Sequence, residues 1–471
     1  MPTQNYAFPP GFVFGVATAA AQIEGATQAH GRKDSIWEAF CRQPGAISDG
    51  TDTHDACRHY ERWQEDLGLL QELGVDSYRF SVAWPRVIPD GRGAVNVQGL
   101  DFYDRLVDGL LARGIRPNAT LYHWDLPQSL QEQGGWLNRD TALAYEAYAA
   151  AVLKRLGDRV DFWATFNEPQ VFVHHGYEHG VHAPGLKLGR RDVLQAIHHV
   201  LLAHGRGMQV IRALAKPGAQ AGIVYAPAPI WPGTDRPQDV AAAERLWRRT
   251  NDWWTLPLIQ DGYPADVMAL WGADAPHVEP GDAAQINQGL DFLGINYYCP
   301  ERVIDDPSLG PLEVAHAPRP ERAPMADFPG WEIFAPGLQN MVTQFWRRYR
   351  IPLYVTENGT SSLSDAPAAD GAVHDPKRIA FIRDHLIHCL RAIQGGADLR
   401  GYYVWSLMDN FEWGLGYSQR FGLVHVDYQS FRRTPKDSFA WYRAVCRDGG
   451  FDGPELPELR SGFEEGAAMG G

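Results

Sequence analysis

Asp161-Phe162-Trp163-Ala164-Thr165-Phe166-Asn167-Glu168-Pro169 is a short apolar run that ends in two polar residues and a proline. A run of this length closed by a turn signal reads as a strand. It follows residues 141–156, an amphipathic stretch with helical spacing. The same alternation extends along the chain. β-like runs cover residues 12–18, 77–84, 117–124, 161–168, 220–227, 291–298, 352–357 and 401–408. Amphipathic stretches lie between several of them, at 60–73, 99–113, 141–156 and 375–394. Glycines mark the turns from helix to strand in Leu73-Gly74-Val75, Arg113-Gly114-Ile115 and Gly395-Gly396-Ala397. Strand alternating with helix eight times predicts an α/β fold, a single-domain (β/α)8 TIM barrel.

The bulk properties fit that fold. The chain has 471 residues, 45% of them apolar, which is enough for one large barrel core. No shift in composition marks a second domain, so residues 1–453 are expected to form the barrel. Residues 454–471, acidic and rich in Gly and Ala, are expected to form a mobile tail. Residues 302–329 and 361–375 are expected to be long irregular loops. A net charge of −14 argues against nucleic acid or an anionic membrane surface as partner. No stretch is long and apolar enough to span a bilayer. Cys41, Cys57, Cys299, Cys389 and Cys446 are scattered and odd in number, which argues against zinc and a disulfide framework. Reduced thiols and an N-terminus without a signal-peptide pattern predict a cytoplasmic protein. No metal motif is visible, and no cofactor is expected.

Polar residues gather where the expected strands end: Gln22 and Glu24, Arg79, His123, Asn167 and Glu168, Asn296 and Tyr298, Glu357, and Trp405. In a barrel of this kind that end carries the chemistry. Glu168 and Glu357 stand out, in Asn167-Glu168-Pro169 and Thr356-Glu357-Asn358-Gly359. One Glu before a turn is usually a solvated strand end. Two carboxylates on the fourth and seventh strands can face one substrate from opposite sides, the minimum apparatus for cleaving a glycosidic bond.

Several ordered segments resemble glycoside hydrolase family 1, the β-glucosidase family. They are Phe12-Val13-Phe14-Gly15-Val16-Ala17-Thr18, Gln22-Ile23-Glu24-Gly25, Tyr78-Arg79-Phe80-Ser81, Leu121-Tyr122-His123-Trp124-Asp125-Leu126-Pro127, Thr165-Phe166-Asn167-Glu168-Pro169, Thr356-Glu357-Asn358-Gly359, and Trp405-Ser406-Leu407-Met408-Asp409-Asn410-Phe411-Glu412-Trp413. The resemblance runs from about residue 8 to 442. It implies a retaining enzyme for terminal β-D-glucosyl residues of β-glucosides and cello-oligosaccharides, with side activity on β-galactosides and β-fucosides. Glu168 is then the acid/base and Glu357 the nucleophile, with carboxyl groups ~5–5.5 Å apart. Arg79 and Tyr298 are implied to support the nucleophile. Gln22, His123, Asn167, Glu412 and Trp413 resemble the residues that bind sugar hydroxyls. Trp405 would lie under the ring, Asn296 and Phe421 beside it, and Trp331 on the aglycone side. A lone histidine before a tryptophan is more often a core residue, so the resemblance is what assigns His123. His198, His199 and His204 lie on an apparent helix and are assigned structural roles.

The chain departs from the family pattern at Ala21, where Tyr is usual, and at Arg58, where Asp is frequent. A transglycosidase would use the same residues, and the sequence does not separate it from a hydrolase. A 6-phospho-β-glucosidase is disfavoured by Glu412, Gln419 and Phe421, where such enzymes lack the acid and carry Lys and Tyr. A catalytically dead sugar-binding barrel would have lost a carboxylate, and both are present.

Overall fold

The computed structural model describes residues 3–309 and 314–457. Its centre is a closed barrel of eight parallel strands: β1 (Val13–Ala17), β2 (Ser77–Ser81), β3 (Arg116–Tyr122), β4 (Phe162–Asn167), β5 (Gln220–Tyr225), β6 (Phe292–Tyr297), β7 (Leu353–Asn358) and β8 (Leu399–Trp405). Each pairs with the next, and β8 pairs with β1. Helices follow the strands: α1 (His59–Leu73), α2 (Val97–Leu111), α3 (Asp140–Leu156), α4 (Arg190–Leu214), α5 (Pro237–Trp247), α6 (Ala335–Tyr349), α7 (Pro376–Gln394) and α8 (Asp437–Asp448). The expected (β/α)8 barrel is therefore the observed fold.

The helices form where the pattern places them. In α2, Leu100, Tyr103, Leu106, Val107 and Leu110 make one buried stripe. α1 stops at Gly74, whose φ of 71° is a left-handed conformation that a side chain disfavours. Proline sits in the first turn of both α6 and α7, where its missing N–H costs no hydrogen bond.

Inside the barrel, Val13, Phe162, Phe292, Tyr354 and Tyr403 pack together beneath Ala17, Ala164, Val224 and Trp405. Tyr403 reaches across the lumen. Its hydroxyl donates to Ser77 Oγ at 3.0 Å and accepts from Asn118 Nδ2 at 3.2 Å. That ring needs a glycine on the neighbouring strand: a Cβ on Gly15 would lie 2.3 Å from Tyr403 and 2.8 Å from the Ser77 carbonyl oxygen. Gly15→Ala is therefore expected to destabilise the barrel by about 1–3 kcal/mol, read as a lower midpoint in denaturant unfolding.

Several edges differ from expectation. The run 77–84 ends its strand at Ser81, and Trp84–Val87 form a helical turn started by Pro85. The run 117–124 stops at Tyr122, because Trp124 takes a φ of 78° and cannot extend a strand. The expected loop 302–329 begins instead inside a strand. Glu301–Ile304 pairs in parallel with Ile230–Pro232 and antiparallel with Ala315–His316. A further strand, Thr3–Ala7, pairs with Gly450–Pro454 and ties the two ends of the described chain together. Residues 454–457, expected in the tail, are thus partly held: Pro454 pairs with Thr3, and Arg391 donates to the Pro457 carbonyl at 2.9 Å. The remainder of the expected tail, 458–471, lies outside the described residues. Among the described residues no helix is long and apolar enough to cross a membrane.

Candidate active site

The C-terminal ends of the strands open into one cavity of about 1150 Å³. Glu168, Glu357, Glu412, His123, Asn296, Tyr298, Trp331, Trp405, Trp413 and Phe421 all line it. Glu168 follows β4 directly. It adopts φ 46°, a left-handed conformation rare for a residue with a side chain. Its N–H donates to the Val224 carbonyl of β5 at 2.8 Å, and Pro169 starts the next helical turn. Such local strain persists where the surroundings enforce it, and it turns the carboxyl toward the cavity rather than along the strand. Glu357 lies within β7, in register with Asn296 of β6 beside a bulge.

A continuous set of hydrogen bonds joins the two carboxyls. Arg79, from β2, donates to Glu357 Oε1 at 2.6 Å and to Asn167 Oδ1 at 2.7 Å. Asn296 Nδ2 lies 3.1 Å from Asn167 Oδ1 and 2.7 Å from Glu168 Oε1. Thr356 donates to Asn296 Oδ1 at 2.7 Å, which fixes the direction of that amide. Tyr298 donates to Glu357 Oε2 at 2.7 Å. Each carboxyl is thus held from strands other than its own.

Burial raises both carboxyls, and the contacts around each separate their protonation. Glu168 is pushed up to about 8, by burial and by the charge of Glu357, against a hydrogen bond from Asn296. Burial raises Glu357 as well, but the Arg79 charge and the hydrogen bonds from Arg79 and Tyr298 oppose it. The expectation that Arg79 holds Glu357 ionised is therefore one side of a balance. The proton of the pair rests on Glu168, which meets the neutral Asn296 amide where Glu357 meets the Arg79 guanidinium. Glu412 is also pushed up to about 8, by burial and by Glu357.

These shifts predict a pH dependence of stability. Glu168 folded sits above its ordinary value of 4.5, so the folded state binds its proton more tightly. Its contribution is fully present below about 4.5 and is lost as pH rises through about 8. Glu168→Gln is expected to remove this decline and raise the melting midpoint above pH 8 relative to the parent. Melting curves of both proteins across that range check it.

Among the described residues, the buried polar atoms near the carboxyls without a protein partner include Gln22 Oε1, His123 Nδ1 and Glu412 Oε2. Gln22 donates through Nε2 to Asn410 Oδ1 at 3.0 Å and to the Phe411 carbonyl at 2.8 Å, which leaves its oxygen open. Asn167 Nδ2 lies 3.0 Å from His123 Nε2. With Nε2 accepting, the proton sits on Nδ1. Burial and then Arg79 push His123 well below its usual range, so it is a neutral donor. Asn167 receives two hydrogen bonds at Oδ1 and uses one amide hydrogen on His123, so a second amide hydrogen is available. An unpaired buried polar atom is costly, and three of them around one cavity mark places for ligand hydroxyls.

Aromatic rings complete the walls. His123 stacks at 6.1 Å from Trp405 and 5.9 Å from Trp413. Trp331 packs 4.8 Å from Tyr298 and 3.9 Å from Phe328, with Phe421 at 6.1 Å. The cavity thus brings together ten of the residues expected in the site, while Gln22, Arg79 and Asn167 lie buried behind its lining.

Other functional residues escaped the sequence reading. Trp124 donates to the Asn167 carbonyl at 2.9 Å and stacks 4.4 Å from Trp413, so it supports both. Asn410 orients Gln22. Trp124 lies in the stretch 121–127 and Asn410 in 405–413, but neither residue type announces a supporting role. The loop after β4 adds His174, His175, His179 and His182 to the cavity wall. Their density over residues 174–182 was the available signal. His198, His199 and His204 are structural, bonded to Asp282, to the Trp136 carbonyl and to Thr165. Arg58 pairs with Asp55 and lies over Phe431. No group of three or more His, Cys, Asp or Glu suited to a metal ion occurs among the described residues.

Comparison with known proteins shows the family of the chain. The family model described as glycosyl hydrolase family 1 matches residues 4–451. A β-glucosidase of Agrobacterium sp. is 48% identical over 440 residues, covering 93% of this chain and 95% of that protein. A bifunctional β-D-glucosidase/β-D-fucosidase of Bifidobacterium breve is 42% identical, covering 94% and 98%. The solved structure of a family 1 β-glucosidase from Thermotoga maritima in complex with isofagomine lactam superposes with a TM-score of 0.90 at 40% identity, covering 95% of this chain and all of that one.

Proposed function

The chain belongs to glycosyl hydrolase family 1, and from that premise we propose that it is a retaining β-glucosidase acting by double displacement. The observation that carries the reading is the pair Glu168 and Glu357 on one cavity, with, among the described residues, a cation paired to Glu357 alone. Glu357, as carboxylate, attacks the anomeric carbon. Glu168 gives its proton to the glycosidic oxygen, and the aglycone leaves as an alcohol. The sugar is then an ester of Glu357. Burial and the Glu357 charge together raise Glu168; esterification removes that charge, so the acidity of Glu168 increases at the moment it must act as base. Water attacks the anomeric carbon, Glu168 takes its proton, and Glu357 departs as the carboxylate beside Arg79. Glucose leaves with its β-configuration.

In this reading the open amide hydrogen of Asn167 meets the 2-hydroxyl, where hydrogen bonds strengthen in the transition state. His123, Gln22 and Glu412 offer their unpaired atoms to the remaining hydroxyls. Trp405 lies under the sugar ring, Trp413 and Phe421 flank it, and Trp331 meets the aglycone. The Bifidobacterium relative named for both activities supports β-fucosidase side activity, and β-galactosides are expected alongside. A 6-phosphate would face Glu412 and find no cation at Gln419 or Phe421, which argues against phosphorylated substrates. The five free thiols suit a reducing compartment such as the cytoplasm. Initial rates on aryl β-glucosides, β-fucosides and cello-oligosaccharides of increasing length test the assignment. Turnover of β-glucosides with release of glucose supports it, and hydrolysis of only 6-phosphoglucosides or α-glucosides overturns it.

A further inference from the structure

The segment after β8 carries Asn410, Glu412, Trp413 and Phe421, yet its only regular structure is the short turn Trp413–Leu415. A loop this irregular needs something to hold its shape. Asp409, at its root, is fully buried. Its N–H donates to the Val424 carbonyl at 2.9 Å. Its Oδ1 accepts from the Gly422 N–H at 2.9 Å and from Lys436 Nζ at 2.7 Å, and its Oδ2 accepts from Arg420 at 2.7 Å. One carboxylate therefore closes the start of the loop onto its end, and residues 410–421 lie inside the ring it makes. The fit at the closure is tight: a Cβ on Gly422 would lie 2.1 Å from the Asp409 nitrogen.

The cations reach further. Lys436, also fully buried, donates to Asp365 Oδ2 at 2.6 Å, in the loop that follows β7 and its Glu357. Arg378, in the first turn of α7, pairs with Asp365 at 2.7 Å and donates to the Arg420 carbonyl at 2.7 Å. The loop bearing Glu412 is thus fastened to the loop after the strand of Glu357 by alternating charges. Buried ion pairs of this kind add little net stability over apolar packing, but they admit few geometries.

We propose that Asp409, with Arg420 and Lys436, forms an ionic clasp that positions the sugar-binding loop, setting Glu412 and Trp413 for the glycone without touching it. The inference rests on the glycosidase reading of the cavity. Asp409→Asn keeps the shape but turns an amide group toward a cation, so the ring opens or shifts. Losing contacts that ground state and transition state share raises KM with kcat unchanged, and the glycone contacts are what this loop supplies.

The test uses Asp409→Asn and the milder Arg420→Gln, whose side chain is already one-fifth exposed. Binding of deoxynojirimycin, a glucose-shaped probe with no aglycone, is measured by titration calorimetry. Kinetics on two aryl β-glucosides with good and poor leaving groups run in parallel. The clasp predicts probe Kd and substrate KM raised about tenfold or more, the worth of one misplaced hydrogen bond to a charged group, by the same factor for both leaving groups, with Arg420→Lys recovering most of the loss. A merely structural role lowers the active fraction, and so kcat, and leaves Kd and KM alone. Folded variants with Kd within about twofold of the parent overturn the clasp, as does failure of both variants to fold. A parent protein that binds no probe and cleaves no β-glucoside overturns the site reading itself, a result distinct from either.

Discussion

Glu357→Ala lowers kcat on an aryl β-glucoside by roughly four to six orders of magnitude, and added azide restores turnover with an α-configured glycosyl azide as product. The size follows from what the side chain does. Without Glu357 no ester can form, and the Arg79 and Tyr298 donors point at an empty space. Azide fits that space and attacks the anomeric carbon from the same face, in one displacement. The aglycone still receives its proton from Glu168, so the rescued reaction runs once and inverts. Rescue to the β-azide would place the nucleophile elsewhere. Loss of less than about tenfold would remove Glu357 from the chemistry altogether.

Glu168→Ala has the second-largest effect, and its signature is selectivity. A leaving group that departs well without a proton should lose little in kcat/KM. A poor one should lose roughly two to four orders of magnitude, the usual worth of a positioned acid. The second step suffers for every substrate, because water has lost its base, so the glycosyl-enzyme accumulates. Azide needs no base, and it should resolve the intermediate to the β-azide, opposite in configuration to the Glu357→Ala product. Equal losses for good and poor leaving groups would contradict the assignment of Glu168 as acid.

The barrel was legible because its signals are local. Each strand is an apolar run with a turn after it, each clear helix has a buried stripe, and the glycines at positions 74, 114 and 396 all take left-handed φ. The pairing of Thr3–Ala7 with Gly450–Pro454 was not legible, since nothing in either segment names a partner so distant in the chain. The strand Glu301–Ile304 was hidden by its composition: Glu and Arg at its start and Asp after it read as loop, and Ile230–Pro232 supplies the pairing that overrides them.

At the site, residue types and motif order pointed to Glu168, Glu357 and their neighbours. The electrostatic balance did not follow from them. An Arg beside a carboxyl suggests a depressed pKa, whereas burial at Glu357 works the other way and leaves it raised. Burial also raises Glu412, which looks in the sequence like an ordinary hydroxyl-binding carboxylate. Open valences are likewise a property of packing. That Gln22 spends its amide hydrogens on Asn410 and Phe411, and so keeps an oxygen for a ligand, depends on a loop almost four hundred residues away in sequence.

The central claim is that Glu357 carries the sugar covalently between the two steps. A β-glucoside with fluorine in place of the 2-hydroxyl and a good leaving group slows both steps, the second enough for the intermediate to persist. Digestion and mass spectrometry of the inactivated protein should find one fluoroglucosyl group on the peptide containing Glu357. A group on Glu168 or Glu412, or no adduct in a protein that turns over β-glucosides and is inactivated by this reagent, would contradict the account.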